Sequence, residues 1–144
     1  CGVKCQKELF NLRGIWSGKI ETPHVPLGIP ISDALDILKN VKDDISKTVE
    51  DEEVSYKIST EFFEVAVYEK NGIASSVWYN DPTGRLTFFG KRKKIKLYLA
   101  RYGRSSNWEK RMNNGWITFF FNDTDKLAMA YGNDMDVIRF NQNV

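Results

Sequence analysis

The chain has 144 residues, a net charge of +2, and 42% hydrophobic, 13% aromatic and 28% charged residues. That is enough for one domain, spanning 1–144, whose core needs no disulfide staples. No run approaches the roughly 18 apolar residues of a membrane-spanning helix, the charge is too small to imply a polyanion partner, and two cysteines close to the start with a single histidine point to no metal site and no cofactor.

Residues 1–10 read as a polar lead. Residues 14–22 predict the first strand, with Trp16, Gly18 and Ile20 on one face. Pro23, Pro26 and Pro30 then forbid regular structure, although the loop around His24 is apolar enough to pack down as a plug or cover an opening. Ser32 as N-cap, Asp33 in the first turn, and Ala34, Ile37, Leu38, Val41 and Ile45 on one stripe predict an amphipathic helix over 32–49, between the first and second strands. An acidic turn over 50–53 leads into the longest strand signal, 54–68. Its alternation changes phase near Glu61 and Phe62, as a bulge, a corner or a break between two strands would require.

Asn71-Gly72 is the strongest hairpin signal. Strands are expected at 73–79 and, after the turn 81–84, at 85–89. A basic turn at 90–93 then precedes 94–102, where Ile95, Leu97 and Leu99 alternate against Lys94, Lys96 and Tyr98. Beyond the polar loop 103–114, strands follow at 116–121, 127–131 and 135–141. About eight strands, most joined by short turns, predict an all-β antiparallel up-and-down barrel, because closure removes the exposed edges. The main alternative is a half-barrel or a strongly curved open sheet wrapped around the helix. No internal repeat is visible in the sequence.

Gly14-x-Trp16 at the head of the first expected strand, with Arg139 on the last, resembles the signature of lipocalins and the wider calycin group. The resemblance implies a barrel whose Trp16 packs across the floor beneath Arg139, with Gly14 as a fold residue. Two departures stand out. Lipocalins have a helix after the barrel, whereas this sequence ends within a few residues of its last expected strand, and the helix between the first two strands looks more like that of fatty-acid-binding proteins. At the other end, Cys1-Gly2 resembles the mature start of a bacterial lipoprotein. That implies a lipid anchor on Cys1, export to the periplasm or outer membrane, and membrane contact only through the anchor. A cytoplasmic chain with a trimmed end, or a local Cys1–Cys5 disulfide, is the alternative.

The first functional expectation is binding of a small, largely apolar molecule inside the barrel. Tyr56, Trp78, Phe88, Tyr98, Arg101, Phe119 and Arg139 are the candidate ligand-binding residues. The second is a cell-envelope protein-binding module, of inhibitor or immunity type, with a filled barrel. The third is a cofactor-free cyclase or isomerase. Glu61 and Glu64 become acid–base candidates if one points into an apolar interior that raises its pKa, and otherwise face water at the corner. His24 is expected to pack in its loop, with a lone haem ligand the alternative. The segment 91–104 holds seven basic residues interleaved with Tyr98 and Tyr102. It is expected to guard a sheet edge or face a membrane beside the anchor; nucleic-acid binding is not favoured. Trp78, Phe88, Phe89, Trp116, Phe119, Phe120 and Phe121 exceed what one face needs, so the helix or a homodimer partner is expected to cover the rest.

Overall fold

A computed structural model describes residues 13–84, 88–132 and 136–143. Its centre is one eight-stranded antiparallel sheet with helices on one face. In chain order the elements are α1 (Ile31–Val41), β1 (Ser46–Glu50), β2 (Glu53–Ser59), β3 (Glu64–Lys70), β4 (Ile73–Asn80), α2 (Phe88–Arg101), a short 3₁₀ turn (Ser105–Asn107), β5 (Glu109–Asn113), β6 (Ile117–Asn122), β7 (Leu127–Gly132) and β8 (Val137–Gln142). The strands lie in the order β1-β2-β3-β4-β8-β7-β6-β5.

Each half is therefore a helix followed by a four-stranded up-and-down meander, and the halves join where β4 pairs antiparallel with β8. An antiparallel pair is itself two-fold symmetric, so the element order repeats about an axis near the Trp78–Arg139 pair. The repeat lies in the architecture alone, which is why the sequence does not display it.

Alternation along the strands divides the residues between two faces. Ile58, Val65, Val67, Val77, Tyr79, Ile138, Phe140, Met129 and Tyr131 point to the helical side and are buried there with Ala34 and Leu38 of α1 and Tyr98 and Leu99 of α2. Each large side chain so buried contributes about 1.5–3 kcal/mol of transfer free energy.

The hairpin signals are realised. Asn71 and Gly72 both take positive φ, 54° and 79°, as a tight right-twisted hairpin requires. The phase change near Glu61 is a break between β2 and β3: the Thr60 hydroxyl accepts from the Phe62 and Phe63 amides and closes the turn. The bulge falls later, between Tyr68 and Glu69. The apolar proline loop packs down, its backbone pairing with the start of β4 through Gly28 N–H to Ala74 O (2.8 Å) and Ala74 N–H to Ile29 O (2.9 Å).

Five expectations are corrected. The barrel does not close: among the described residues, β1 and β5 are the two edges of an open sheet. Both are short and charge-bearing, and β1 is exposed throughout, features that discourage edge pairing. The strand expected over 14–22 is not formed; residues 13–16 are helical. Gly18, at φ 86°, ends that turn, and only Ile15 is buried, while Trp16 stays 57% exposed. The helix expected over 32–49 stops at Val41, and β1 takes up 46–50. The strand expected over 94–102 is the body of α2. Ile95, Leu97 and Leu99 fit both periods, but the buried set Gly90, Lys94, Tyr98 and Tyr102 recurs every fourth residue. Of the strand expected at 85–89, residues 85–87 lie outside the described residues and Phe88 and Phe89 are helical.

Candidate functional site

α2 leans toward the centre of the sheet. Lys94, Tyr98 and Tyr102 lie beneath it, where Tyr102 stacks on Phe140 of β8 at 4.0 Å between ring centroids. The core face of β5–β7 is left partly uncovered, and a groove of about 650 Å³ opens between it and the helix. Ile95, Leu99, Phe120 and Tyr131 form an apolar floor, and Lys91, Arg92, Lys96 and Lys110 stand around it. The helical contributors, Phe88 through Leu99, recur at three- and four-residue steps, which places them on one stripe of α2. Among the described residues no carboxylate lines the groove.

One feature of the floor is polar. Tyr131 is 3% exposed, yet its hydroxyl has no hydrogen-bond partner among the described residues. Burial pushes the phenol pKa up, and nearby Asp136 and Asp81 push it further, so the group is a neutral donor. The Lys94 ammonium lies 5.7 Å from the Tyr131 ring centroid. Lys94 is itself fully buried, donating to the Asp81 carbonyl at 2.6 Å and to Asp136 Oδ1 at 3.4 Å. Burial lowers its pKa, while the charges of Asp81 and Asp136 act in the opposite sense.

The groove can thus take an apolar body on its floor, an anion at its rim and a hydrogen-bond acceptor at Tyr131. Of the seven ligand-binding residues expected from sequence, only Phe88 lines it. Tyr98 and Arg101 have another task. The Tyr98 hydroxyl donates to Asp81 Oδ2 at 2.6 Å and accepts from Thr22 at 2.5 Å, while Arg101 donates to the Thr22 hydroxyl (3.2 Å) and to the carbonyls of Thr22 (2.6 Å) and Ile20 (3.3 Å). A second ring fastens the same segment: Val25 N–H to Tyr79, Tyr79 to Tyr102, and Tyr102 to the Val25 carbonyl. These groups tie 20–25 to α2, and burial drives the phenols of Tyr98 and Tyr102 well up.

Tyr56 sits on the core face of β2, its hydroxyl donating to Glu69 at 3.2 Å. Trp78, Phe119 and Arg139 lie on the other, uncovered face of the sheet. Trp78 and Arg139 are cross-strand partners there, Lys57 reaches to 5.7 Å from the Trp78 ring, and the Arg139 guanidinium lies 4.3 Å over Tyr68. Sheet alternation separates this set from Tyr56, Tyr98 and Arg101, so the seven never converge on one interior. Arg139 meets Tyr68 instead of the exposed Trp16, and Gly14 belongs to the N-terminal helical turn.

Glu64 faces the uncovered side. The Lys57 hydrogen bond, chief among its partners, holds its carboxyl below the usual value, the reverse of the rise an apolar interior would give. Glu61 is exposed on the β2–β3 turn. His24 packs edge-on against Tyr102 at 5.0 Å, and burial followed by the Arg101 charge lowers its pKa. Cys1 lies outside the described residues.

Apart from Phe88, the groove's residues are hidden in the sequence because 94–102 also fits a two-residue period. The signal present was compositional: Lys, Arg, Leu and Ala are strong helix formers and dominate the segment. Comparison with family models, curated proteins and solved structures gives no match to this chain.

Proposed function

We propose that the protein binds a small, largely apolar molecule carrying an anionic group, seated in the groove between α2 and β5–β7. The observation that carries this reading is the combination of an apolar floor, a cationic rim and a buried tyrosine hydroxyl with no partner. Concave sites of about 300–1,000 Å³ with few polar groups are the usual form of small-molecule sites. Apolar contact supplies affinity in proportion to the area removed from water. The cations fix orientation, and a bound acceptor would give the Tyr131 hydroxyl a partner. The expected apolar ligand is kept, but its place moves from a barrel interior to the flank of a helix.

Calorimetric titration with dodecanoate below its micellar concentration tests the proposal, with dodecanol as the neutral control. Dodecanoate is expected to bind and dodecanol to bind more weakly. The double variant Lys96→Gln/Lys110→Gln should lower dodecanoate affinity by about three- to tenfold, since exposed ion pairs contribute about 0.2–1 kcal/mol each. Ile95→Trp, which fills the floor, should abolish binding. Equal affinity for acid and alcohol, or an unaltered Ile95→Trp, would refute the proposal.

A further inference from the structure

We infer that the end of the molecule formed by the start of α2 and the β5–β6 turn is a docking surface for an anionic lipid membrane. Phe88 and Phe89 open α2 and are 69% and 66% exposed, although each is a large apolar ring. They pack edge-to-face at 5.9 Å between centroids. Trp116 and Ile117, on the β5–β6 turn and the first residue of β6, are 71% and 37% exposed. Four of the seven large apolar side chains exposed among the described residues are therefore these four.

They share one end of the fold. The α2 C-terminus meets the β6 C-terminus, where Asn122 donates to the Tyr102 carbonyl. Lys94, midway along α2, lies over Tyr131, whose strand partner is Thr118 of β6. α2 and β6 thus run side by side in the same direction. A 14-residue helix is about 21 Å long and a six-residue strand about 20 Å, so their starting ends lie level. Phe88 at the start of α2 and Asn113 at the end of β5 both line the groove at that end, and Trp116 lies in the turn that follows Asn113.

Charge identifies the occupant. Arg92 lies 5.5 Å over the Phe88 ring, and Lys91, Lys93, Lys96 and Lys110 lie within the next turns or across the groove. An apolar tip with aromatic rings, bordered by lysine and arginine, matches the interface of a negatively charged bilayer. No described helix is long and apolar enough to cross a membrane, so the contact is at the surface. It needs no acyl group on the chain, and it stands whether or not the groove is filled.

Flotation of the full, unacylated chain with vesicles of phosphatidylcholine alone, or with one-quarter phosphatidylglycerol, tests the inference. The chain should float with the anionic vesicles, at least tenfold more than with neutral ones, and should be released by 0.5 M salt. Phe88→Ser/Phe89→Ser should lower the bound fraction at least tenfold, and Trp116→Ser several-fold, with melting temperatures unchanged because the rings are exposed. Phe88→Trp/Phe89→Trp should retain binding. Vesicle binding indifferent to lipid charge would overturn the inference, as would serine variants that bind like the wild type. So would binding to duplex DNA or an acidic polypeptide without binding to vesicles.

Discussion

Tyr131→Phe removes one oxygen atom and should make the protein more stable. The hydroxyl is buried at 3% exposure and has no partner, and burying an unpaired hydroxyl costs about 1–3 kcal/mol. Phenylalanine keeps the ring and its packing, so the variant should gain about 1 kcal/mol at neutral pH. A second signature belongs to alkaline pH. A phenol whose native pKa is raised above its ordinary 10.0 contributes stability that is fully present below pH 10 and is lost as pH rises through the native value. Above pH 10 each such group takes away about 1.4 kcal/mol per pH unit. Tyr98 and Tyr102, whose phenols burial raises well up, act in the same sense, as does Tyr79. Lys94 acts oppositely: its native pKa is lowered, so stability rises with pH from that value up to its ordinary 10.5. Comparing wild type with Tyr131→Phe cancels every group but one. Urea unfolding followed by circular dichroism from pH 7 to 11 should show a more stable variant whose alkaline limb is shallower by about 1.4 kcal/mol per unit. A variant less stable by about 1 kcal/mol at pH 7 would show that the hydroxyl has a partner, and parallel alkaline limbs would show that it titrates as in the unfolded chain.

Other consequences are more local. Gly84 has φ 85°, and a Cβ there would sit 2.8 Å from the Gly90 carbonyl, so Gly84→Ala should cost at least about 2 kcal/mol by denaturant unfolding. Lys94→Met should cost about 3–5 kcal/mol, because Asp136 loses its buried cation; Asp136→Asn on that background should recover part of the loss. Glu64, whose pKa is lowered chiefly by Lys57, contributes stability that is present above its ordinary 4.5 and is lost as pH falls through its native value. Carboxyl NMR titration should find that value below 4.5 in the wild type and shifted back up in Lys57→Ala.

How much could be read beforehand follows from which interactions are local. The hairpin at Asn71-Gly72 and the strand pattern of β2 to β4 rest on turn chemistry and alternation among near neighbours, and these were legible. The pairing of β4 with β8 joins residues about sixty positions apart, so nothing in either strand announces it. α2 was concealed by one buried charge. Lys94 counts as a solvent residue until Asp81 and Asp136, from two distant segments, are seen to hold it. With Lys94 placed outside, 94–102 alternates as a strand; with it placed inside, the four-residue step emerges. The groove disappears with the same misreading, since half its lining comes from that helix.

The two halves repeat one element order, yet they are not covered alike. Over the first half, α1 is joined by the apolar segment that contributes Val25, Leu27 and Ile29 to the core and pairs with β4. No comparable segment lies over β5–β7 among the described residues, and the groove is the space this leaves. Such a gap forgoes packing that the fold could otherwise have, and filling it separates stability from binding. Ile95→Trp places a larger apolar side chain on the floor of a groove of about 650 Å³. If the groove is open in solution, the variant should gain about 1 kcal/mol, or about 3 °C in Tm, while dodecanoate binding disappears. A fall in Tm of several degrees would mean that the indole finds no room, and that α2 already rests on the sheet.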